Sequence, residues 1–561
     1  MKSKQLKLMT TLFLCSFSLL AQEKNFPTDT FRVIKAYQPT LIDVDKISVP
    51  PEINDTFKLE TEVDYQFFGK KIPVSFEVDP IAPARIKGEP LVRLYNGFAK
   101  VAVGNAMIPM AELYYTNRRS KDYAAGVHLK YHRQKHLNQI EESEMSKAHF
   151  EVFGKRFWKR NTLEGRMGYD IHDLNYYGFY QMPRLNPELK PESSLSQRYS
   201  RLTAQMQLKS TIQDSFNLRH QVNVDYHYLM NQQNNHENYF KVAGNLSQYK
   251  NSELYSLDMF VDYNKYDFDN QSSILALKPK ISTIGDNFRV NAGLGIYLNA
   301  AGDNSGFHFY PLVEVKYNVL RDILIPYAGL KGEVKRNNYH TITLENPFVA
   351  RDLELKNTDE KYNLYLGIRG TLSKRLSFNI SGAKRKTKDD YLYVRRADGN
   401  QILEKSFYLD YDEIDELKLK GELVYRLGEK IKIYALGEYF SYNTRYADKA
   451  WHRPDLKLST TTSYNLNDKI IAKLDLYYWG SQYAKGVGAI TTNGDGEILD
   501  RTYRTDKLAP IFDVNLGFEY RYTKKLSAFI QFNNIGGVKY EKYQDYPLQG
   551  FNFWGGLTYG F

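Results

Sequence analysis

Three histidines stand four residues apart, a spacing that could serve a transition-metal site. They are His128, His132 and His136, and imidazole is a common ligand of zinc and copper. In a strand, positions four apart are about 13 Å from each other, which is too far for two side chains to share one tetrahedral ion. Between a metal site and a polar, hydrated wall, the spacing favours the wall.

Two groups of acidic residues could hold a cation. Residues 493–500 have the Gly-Asp pattern of the middle of a calcium loop, but Thr491 and Thr502 stand where its first Asp and closing Glu would be. A Gly-rich tip of a long external loop is the alternative, and we favour it. Three further acids are predicted to be solvated near another loop tip: Asp262, Asp267 and Asp269.

Nucleophilic catalysis would need a serine and a histidine in contact. Ser215 lies near His220, and Ser305 lies near His308, but such pairs arise by chance in a chain of 561 residues. The motifs GxSxG, GxxxxGK[ST] and HExxH are absent from the sequence. We therefore predict no enzymatic activity and no cofactor, with a barrel-type hydrolase as the remaining alternative.

Composition narrows the class of protein further. The formal net charge is +11, but basic residues alternate with acidic ones along the chain, so we do not expect nucleic acid to be a partner. Hydrophobic residues make up 42%, and no run of about 20 apolar residues follows residue 21, which excludes a bundle of membrane-spanning helices. Aromatic residues reach 14%, with 46 Tyr, and this excess needs a cause.

Residues 1–21 are predicted to be a secretory signal peptide. Lys2, Lys4 and Lys7 precede an apolar stretch that ends at Ala21. The only cysteine, Cys15, lies within this segment. The mature chain is then exported without cysteine, which argues against a small disulfide-stapled scaffold.

From about residue 93 to the end, apolar and polar residues alternate with period two. In residues 417–427, the apolar positions Leu417, Leu419 and Leu423 lie opposite polar ones. We count about 22 such segments, starting near Arg93, and each is roughly 10 to 13 residues long, whereas strands of soluble proteins average about five or six. A tilted strand of about 9 to 11 residues crosses a bilayer, and a sheet in lipid must close.

The predicted fold is therefore all-β: a transmembrane antiparallel β-barrel of about 22 strands at residues 93–561. Its setting is the outer membrane of a Gram-negative bacterium, with lipid against the apolar face. Tyrosines are explained by aromatic girdles at the two membrane interfaces. Connections alternate between short turns and long external loops, the longest being residues 337–359, 387–415 and 482–509.

Charged residues on the polar faces of these segments are candidates for lining a lumen. Both signs occur, so the lumen would be wet and show no strong ion preference. The same residues could instead form salt bridges in a barrel that conducts nothing. The candidates are Lys316, Arg369, Lys418, Lys420, Glu422, Arg426, Lys473, Asp475, Asp513 and Glu519.

The end of the chain carries a family resemblance. The last strand, residues 551–561, ends in Leu557, Tyr559 and Phe561. It resembles the C-terminal strand of outer-membrane proteins, which implies recognition by the barrel-assembly machinery. Residues 526–540 are similar to the end of TonB-dependent receptors, where an apolar strand runs into an Asn-Asn element. The resemblance implies an outer-membrane transporter-type barrel with 22 strands.

The N-terminal part departs from that family. TonB-dependent receptors have a folded plug ahead of the barrel, whereas residues 22–92 are short and rich in proline, which interrupts helices and strands. We expect a periplasmic extension rather than a plug, and we do not expect TonB to be a partner. Residues 29–34 could pair with TonB by strand addition, but an extended tail explains them as well.

Two functions are compatible with these features. The first is a channel or receptor-like transporter that takes up polar solutes through the lumen. The second is a barrel that transports nothing and serves as a subunit of an outer-membrane assembly or export complex, with its tail and loops binding protein partners. Because an empty barrel of this size would breach the membrane, the tail, the loops or a partner is expected to fill it.

Overall fold

The structure is a computed structural model. It describes residues 95–117, 120–135, 140, 143–178, 196–211, 217–267, 270–302, 305–320, 323–395, 406–492 and 498–561, without the side chains of 487–501. All of them belong to the unit Glu89–Phe561. The predicted signal peptide, the extension at 22–92, His136, Ser215, Asp269 and residues 493–497 lie outside the described residues.

The described chain is built almost wholly of strands. In chain order these are β1 (Gly97–Gly104), β2 (Met107–Thr116), β3 (Tyr123–Gln134), β4 (Met145–Phe157), β5 (Asn161–Asn175), β6 (Ser196–Ser210), β7 (Arg219–Met230), β8 (His236–Lys250), β9 (Glu253–Tyr266), β10 (Asn270–Ile284), β11 (Phe288–Ala300), β12 (Gly306–Tyr317), β13 (Leu324–Lys335), β14 (Thr358–Ser373), β15 (Leu376–Val394), β16 (Tyr408–Leu427), β17 (Ile431–Thr444), β18 (Leu456–Leu466), β19 (Ile470–Trp479), β20 (Gln482–Thr492), β21 (Ile498–Leu508), β22 (Ile511–Arg521), β23 (Leu526–Asn533), β24 (Glu541–Tyr543), β25 (Tyr546–Pro547) and β26 (Asn552–Gly560).

Twenty-two of these strands form one closed antiparallel sheet. Each strand pairs with the next along the chain, except that β19 pairs with β22 and β23 with β26. The sheet closes where β26 pairs with β1, with Tyr559 opposite Ala99 and Leu557 opposite Val101. The predicted barrel and its strand count are confirmed. Closure matters because it leaves no unpaired strand edge.

The two faces of the barrel wall differ as the period-two pattern predicts. Leu364, Leu366 and Ile368 on β14 are exposed, as are Leu417 and Leu419 on β16. On the opposite face, Tyr365 donates to Glu314 and Lys418 pairs with Glu438. A continuous exposed apolar face of this kind is the one that lipid covers in a membrane barrel.

From β13 to the end of the chain, long and short connections alternate, as expected. The ends of β14 and β15, of β16 and β17, and of β18 and β19 meet in turns of two or three residues. The long connections all lie at the opposite end of the barrel. Both the start of β1 and Phe561 lie at the short-turn end, where the amides of Asn96 and Gly97 donate to the carbonyl oxygen of Phe561.

Two predicted loops are corrected by the structure. The loop at 387–415 is shorter, because β15 and β16 are 19 and 20 residues long and stay paired beyond the rest of the barrel. A bulge between Thr387 and Asp390 disturbs the alternation there and hides this continuation from a period-two count. The loop at 482–509 contains the hairpin of β20 and β21. The first strand starts at Gly97, not Arg93.

The connection between β13 and β14 contains the one α-helix of the described residues, α1 (Tyr339–Glu345). Asn338 caps its start: the Asn338 side chain accepts from the Thr341 amide, and the Thr341 hydroxyl accepts from the Asn338 amide. This reciprocal cap satisfies two amides that a helix start leaves free. Across the described residues, no helix has the length and apolarity to span a membrane.

Candidate functional site: a loop across the barrel mouth

Residues 336–357, which join β13 to β14, are folded across the end of the barrel that carries the long connections. We call this segment the inner loop. It contains α1 and the apolar residues Ile342, Phe348, Val349 and Leu353, all of which are buried. An external loop surrounded by water would not bury such a set, so the inner loop packs against other parts of the chain.

One anchor of the inner loop is a buried carboxylate on the wall. Glu237 on β8 is fully buried, and its two oxygens accept the backbone amides of Tyr339 at 2.6 Å and His340 at 3.1 Å. These amides belong to the first turn of α1, where the helix dipole favours a negative charge. His227 Nε2 lies 2.9 Å from the same carboxylate. Glu237 thus fixes the start of α1 to the wall.

The second anchor is an ion pair at the start of the inner loop. Arg336 forms an ion pair with Asp262 on β9, and both side chains are nearly buried. Arg336 also donates to Asn357 at 3.2 Å, which ties the two ends of the loop together. The prediction that Asp262 is a solvated loop acid is therefore wrong: Asp262 lies inside a strand and neutralises a buried guanidinium.

Tyrosine hydroxyls on the wall hold the backbone of the inner loop. Tyr199 on β6 donates to the carbonyl of Pro347 at 2.9 Å. Tyr176, just after β5, donates to the carbonyl of Val349 at 2.7 Å. From the other side of the mouth, Tyr411 on β16 donates to Glu354 O at 2.9 Å, and Tyr543 on β24 donates to Glu345 O at 2.7 Å. One segment touches strands far apart in the sheet order, so it crosses the barrel.

An aromatic core surrounds these contacts. Phe348 stacks on Tyr546 with ring centroids 3.9 Å apart, and Tyr266 stacks on Tyr339 at 4.4 Å. We call the buried set the mouth cluster; its aromatic members are Tyr176, Tyr177, Tyr199, Tyr266, Tyr339, Phe348, Tyr393, Phe407, Tyr408, Trp451, Tyr543 and Tyr546. Many tyrosines therefore pack a core at the mouth, and the interface girdles predicted from composition explain only part of the excess.

Beside the inner loop lies a cavity of about 390 Å³. We call it the mouth cavity. Its walls come from β13 to β19, the connection between β17 and β18, the inner loop and the connection before β26. They combine cations with aromatic rings: Lys335, Arg385, Arg453, Lys457, Lys542, Tyr391, Tyr393, Tyr442, Trp451, Trp479 and Tyr543. Acids on the lining are fewer: Glu345, Asp390 and Glu416.

Two lysines of the mouth cavity have aromatic neighbours in place of a carboxylate. Lys457 lies 4.8 Å from the ring centroid of Trp479, and Lys542 lies 5.9 Å from the same ring. Burial lowers the pKa of Lys542 from its ordinary value. By contrast, Arg453 is paired with Asp390 at 2.9 Å. The cavity therefore offers positive charge and ring faces to a polar solute.

His452 joins three loops at the edge of this cavity. Its Nδ1–H donates to the carbonyl of Tyr393 at 3.0 Å, and its Nε2 accepts the amide of Gln544 at 3.3 Å. Acceptance at Nε2 requires the neutral ring. Burial lowers the pKa of His452 to about 4, so the ring is neutral at physiological pH.

The histidines singled out by their spacing lie on the polar face of β3. His128 stacks on Tyr114 with centroids 3.8 Å apart and lies 3.1 Å from Glu112. No group of three or more His, Cys, Asp or Glu side chains able to hold a metal exists within the described residues.

The serine and histidine considered for nucleophilic catalysis have different partners. The Ser305 hydroxyl donates to the carbonyl of Gly302 in its own loop, while His308 lies 3.5 Å from Asp359.

Most of the candidate lumen residues take part in ion pairs along the wall. Lys418 pairs with Glu438 at 2.7 Å. The remaining pairs join Lys316 to Glu314, Lys420 to Glu422, Lys473 to Asp475 and Glu519 to Arg521. Asp513 accepts from Tyr540, Arg369 lines a separate cavity with Glu422, and Arg426 is exposed near the short turns. None of the ten lines the mouth cavity, and their role in a pathway stays a prediction.

The residues that close the mouth were missed by period-two reasoning. They lie in connections, where alternation carries no information. A local signal was present: Asn338 followed by Thr341 is a helix-start pattern, and the apolar residues after it are unusual for a wet loop. That signal could have predicted a folded loop, but not the strands it contacts.

Comparisons with known proteins bear on the fold. No protein family profile and no curated protein matches the chain. Solved structures do match. The siderophore receptor PirA of Acinetobacter baumannii aligns with a TM-score of 0.63 and 10% identity, over 84% of this chain and 81% of that one.

Two receptors of Pseudomonas aeruginosa align in the same way. The ferric enterobactin receptor PfeA gives a TM-score of 0.60 and 13% identity over 83% of this chain and 80% of that one. The ferripyoverdine receptor of the outer membrane aligns with a TM-score of 0.60 and 12% identity, over 84% of this chain and 72% of that one. These proteins are receptors, not enzymes. The chain has the barrel fold of outer-membrane siderophore receptors, which is the fold that the resemblance to TonB-dependent receptors implied.

Proposed function

We propose that the chain is an outer-membrane barrel that takes up a polar solute through its lumen, and that the inner loop is a gate which must move for passage. The observation that carries this proposal is the inner loop itself. It is bonded to β5, β6 and β8 on one side and to β16 and β24 on the other. Lipid against the apolar face and assembly by the barrel-assembly machinery belong to the same proposal.

The contacts of the inner loop suit a gate better than a permanent wall. Most are single hydrogen bonds from tyrosine hydroxyls to backbone carbonyls, and each contributes only about 0.5 to 1.5 kcal/mol. The strong contacts, Glu237 and Arg336, stand at the start of the loop. In such a movement the anchors at the start would hold, while Ile342, Phe348, Val349 and Leu353 would leave the mouth cluster.

The mouth cavity gives the proposed solute a place to bind. Lys457 and Lys542 face ring surfaces, and neither forms an ion pair with another described residue. Such a lining can bind anionic groups through the lysines and planar groups through the ring faces. The similarity to siderophore receptors supports uptake of this kind, because those proteins share the fold.

The second candidate is a barrel subunit that transports nothing. It is favoured by the ion pairs that cross-link the polar face and by a mouth that the chain fills with its own core. In this case the long connections would bind protein partners. Stable partners that co-purify after mild detergent extraction would support the subunit, whereas a solitary barrel would support the receptor.

Planar-bilayer conductance tests the gate. The intact protein is expected to be nearly silent, and a variant with 338–355 replaced by a short Gly-Ser linker is expected to give large stepwise currents. A variant without residues 22–92 tests whether the predicted extension contributes to closure. Large steady currents from the intact protein would contradict a gate, and silence of the loop-shortened, correctly folded barrel would favour the subunit.

A further inference from the structure

Six histidines gather on one wall of the barrel. The protein has 11 in all. Apart from His220 at the start of β7, those on the wall formed by β3 to β7 and on α1 are His128, His132, His149, His172, His227 and His340. Four of these line a second cavity, of about 250 Å³, together with Lys130, Lys147 and Arg201. The only acid on its lining is Asp170.

The pairing of the strands arranges these residues in rows. His132 on β3 is opposite Lys147 on β4, Lys147 is opposite His172 on β5, and His172 is opposite Tyr199 on β6. Directly opposed residues of antiparallel strands point to the same face. Tyr199 donates to the inner loop, so the whole row faces the inside of the barrel. We call these residues, without Tyr199, the basic row.

In the next row of opposed residues, a carboxylate already pairs with the basic side chains. His149 lies 2.6 Å from Asp170, and Arg201 donates to the same carboxylate at 2.5 Å. Glu112, on the next strand, lies 3.1 Å from His128 and 4.0 Å from Lys130. Asp170 and Glu112 are therefore occupied by other partners. A third acid, Glu151, lies opposite His128, four residues along β4 from Lys147.

The basic row has no such compensation. The side chain of Lys147 is exposed, and no ion pair of Lys147 exists within the part of the chain that the structure describes. The Nε2 atom of His172 is buried and has no hydrogen-bond partner among the described residues. Opposed basic side chains are unfavourable unless an anion lies between or beside them. The basic row therefore presents a lysine and a histidine nitrogen whose charge and hydrogen-bonding capacity the described residues leave unused.

We propose that the basic row, covered by His340 and Thr343 of α1, is a binding site for an oxyanion, the phosphate or carboxylate group of a small solute. Lysine binds phosphate as a point charge, and imidazole N–H groups add directed hydrogen bonds. The site is separate from the mouth cavity: no residue lines both. The proposal concerns binding and holds whether or not the barrel transports.

Equilibrium dialysis of the purified full-length barrel against radiolabelled inorganic phosphate tests the site, with citrate as a competitor to separate phosphate from carboxylate recognition. Lys147→Gln is expected to weaken phosphate binding at least tenfold, while Lys147→Arg is expected to retain it. The matched control is Lys155→Gln, on the same strand and face, because Lys155 is paired with Glu164 at 2.8 Å. That variant should bind within twofold of the unaltered protein.

Heat-modifiable mobility in SDS gels shows whether each variant is a folded barrel. Binding displaced by citrate identifies a general oxyanion site, and binding that resists citrate identifies a phosphate site; both support the proposal. Absence of both phosphate and citrate binding to the unaltered protein at millimolar concentration would overturn it. Equal loss in folded Lys147→Gln and Lys155→Gln would also overturn it, because the effect would then be general charge.

Discussion

The backbone amide of Tyr339 donates to the carboxylate of Glu237 over 2.6 Å, although the two residues lie 102 positions apart. Glu237 is fully buried in the wall, and Tyr339 begins the single helix of the inner loop. A buried carboxylate at a helix start joins the inner loop to a rigid strand. Under the proposed gating, the strength of this attachment sets how readily the mouth opens.

Replacing this carboxylate by an amide is expected to loosen the inner loop. Glu237→Gln keeps the shape but removes the charge from both bonds and leaves one of the two helix amides facing an NH2 group, at a loss of about 1 to 3 kcal/mol. Amide hydrogen exchange in 339–346 should become roughly 10- to 100-fold faster, since about 1.4 kcal/mol is tenfold. Glu519→Gln, in an exposed pair with Arg521, is the control and should leave these amides unchanged.

Removing the guanidinium of Arg336 is expected to release the start of the inner loop. Arg336→Met leaves Asp262 buried without a partner, at a loss of about 3 to 5 kcal/mol. Trypsin should then cut the folded barrel at Arg351, which the closed loop protects. The double variant Arg336→Met with Asp262→Leu removes both charges and should restore much of the protection. Equal cleavage of the two variants would mean that the ion pair is not an anchor.

Acid is expected to loosen the connections around His452. Its folded pKa, about 4, lies below the ordinary value of 6.5, so the opened state binds more protons between these two pH values. The stabilisation is complete above pH 6.5 and is lost progressively as the pH falls to 4, by up to about 3 kcal/mol. Fluorescence of the neighbouring Trp451 should report this transition.

The variant His452→Asn provides the control, because it cannot titrate. It should be less stable at neutral pH and should have a flatter pH profile between 6.5 and 4. His340 acts in the same direction, since burial lowers its pKa to about 3. A transition that survives unchanged in the double variant His452→Asn with His340→Asn would assign the effect to other groups.

The C-terminal residue is expected to be needed for barrel closure. The Phe561 ring lies over Gly97, where an added Cβ atom would collide with the ring carbons. Gly97→Val should displace the ring, and Phe561→Ala should remove it while keeping the backbone bonds to Asn96 and Gly97. Both variants should lower the yield of folded barrel, measured by heat-modifiable mobility. Tyr522→Ala removes an exposed ring at the same end and should have little effect.

The barrel could be predicted from the sequence because its signal is local. In residues 417–427 each side chain's type reports which face it occupies, and the pattern repeats in strand after strand. Where the alternation is broken, at the bulge between Thr387 and Asp390, the prediction ended a strand too early. The sequence also determined that charged residues such as Lys418 and Glu438 lie on one face, where they pair.

The closed mouth was decided only by the tertiary structure. Glu237 and Tyr339, or Arg336 and Asp262, carry no mark of each other in the sequence, because long-range contacts depend on where the closed sheet brings its strand ends. The basic row is a further case: His132, Lys147 and His172 are far apart in the chain and become neighbours only through strand register. Periodicity sets the face of each residue, whereas closure and register set its partners.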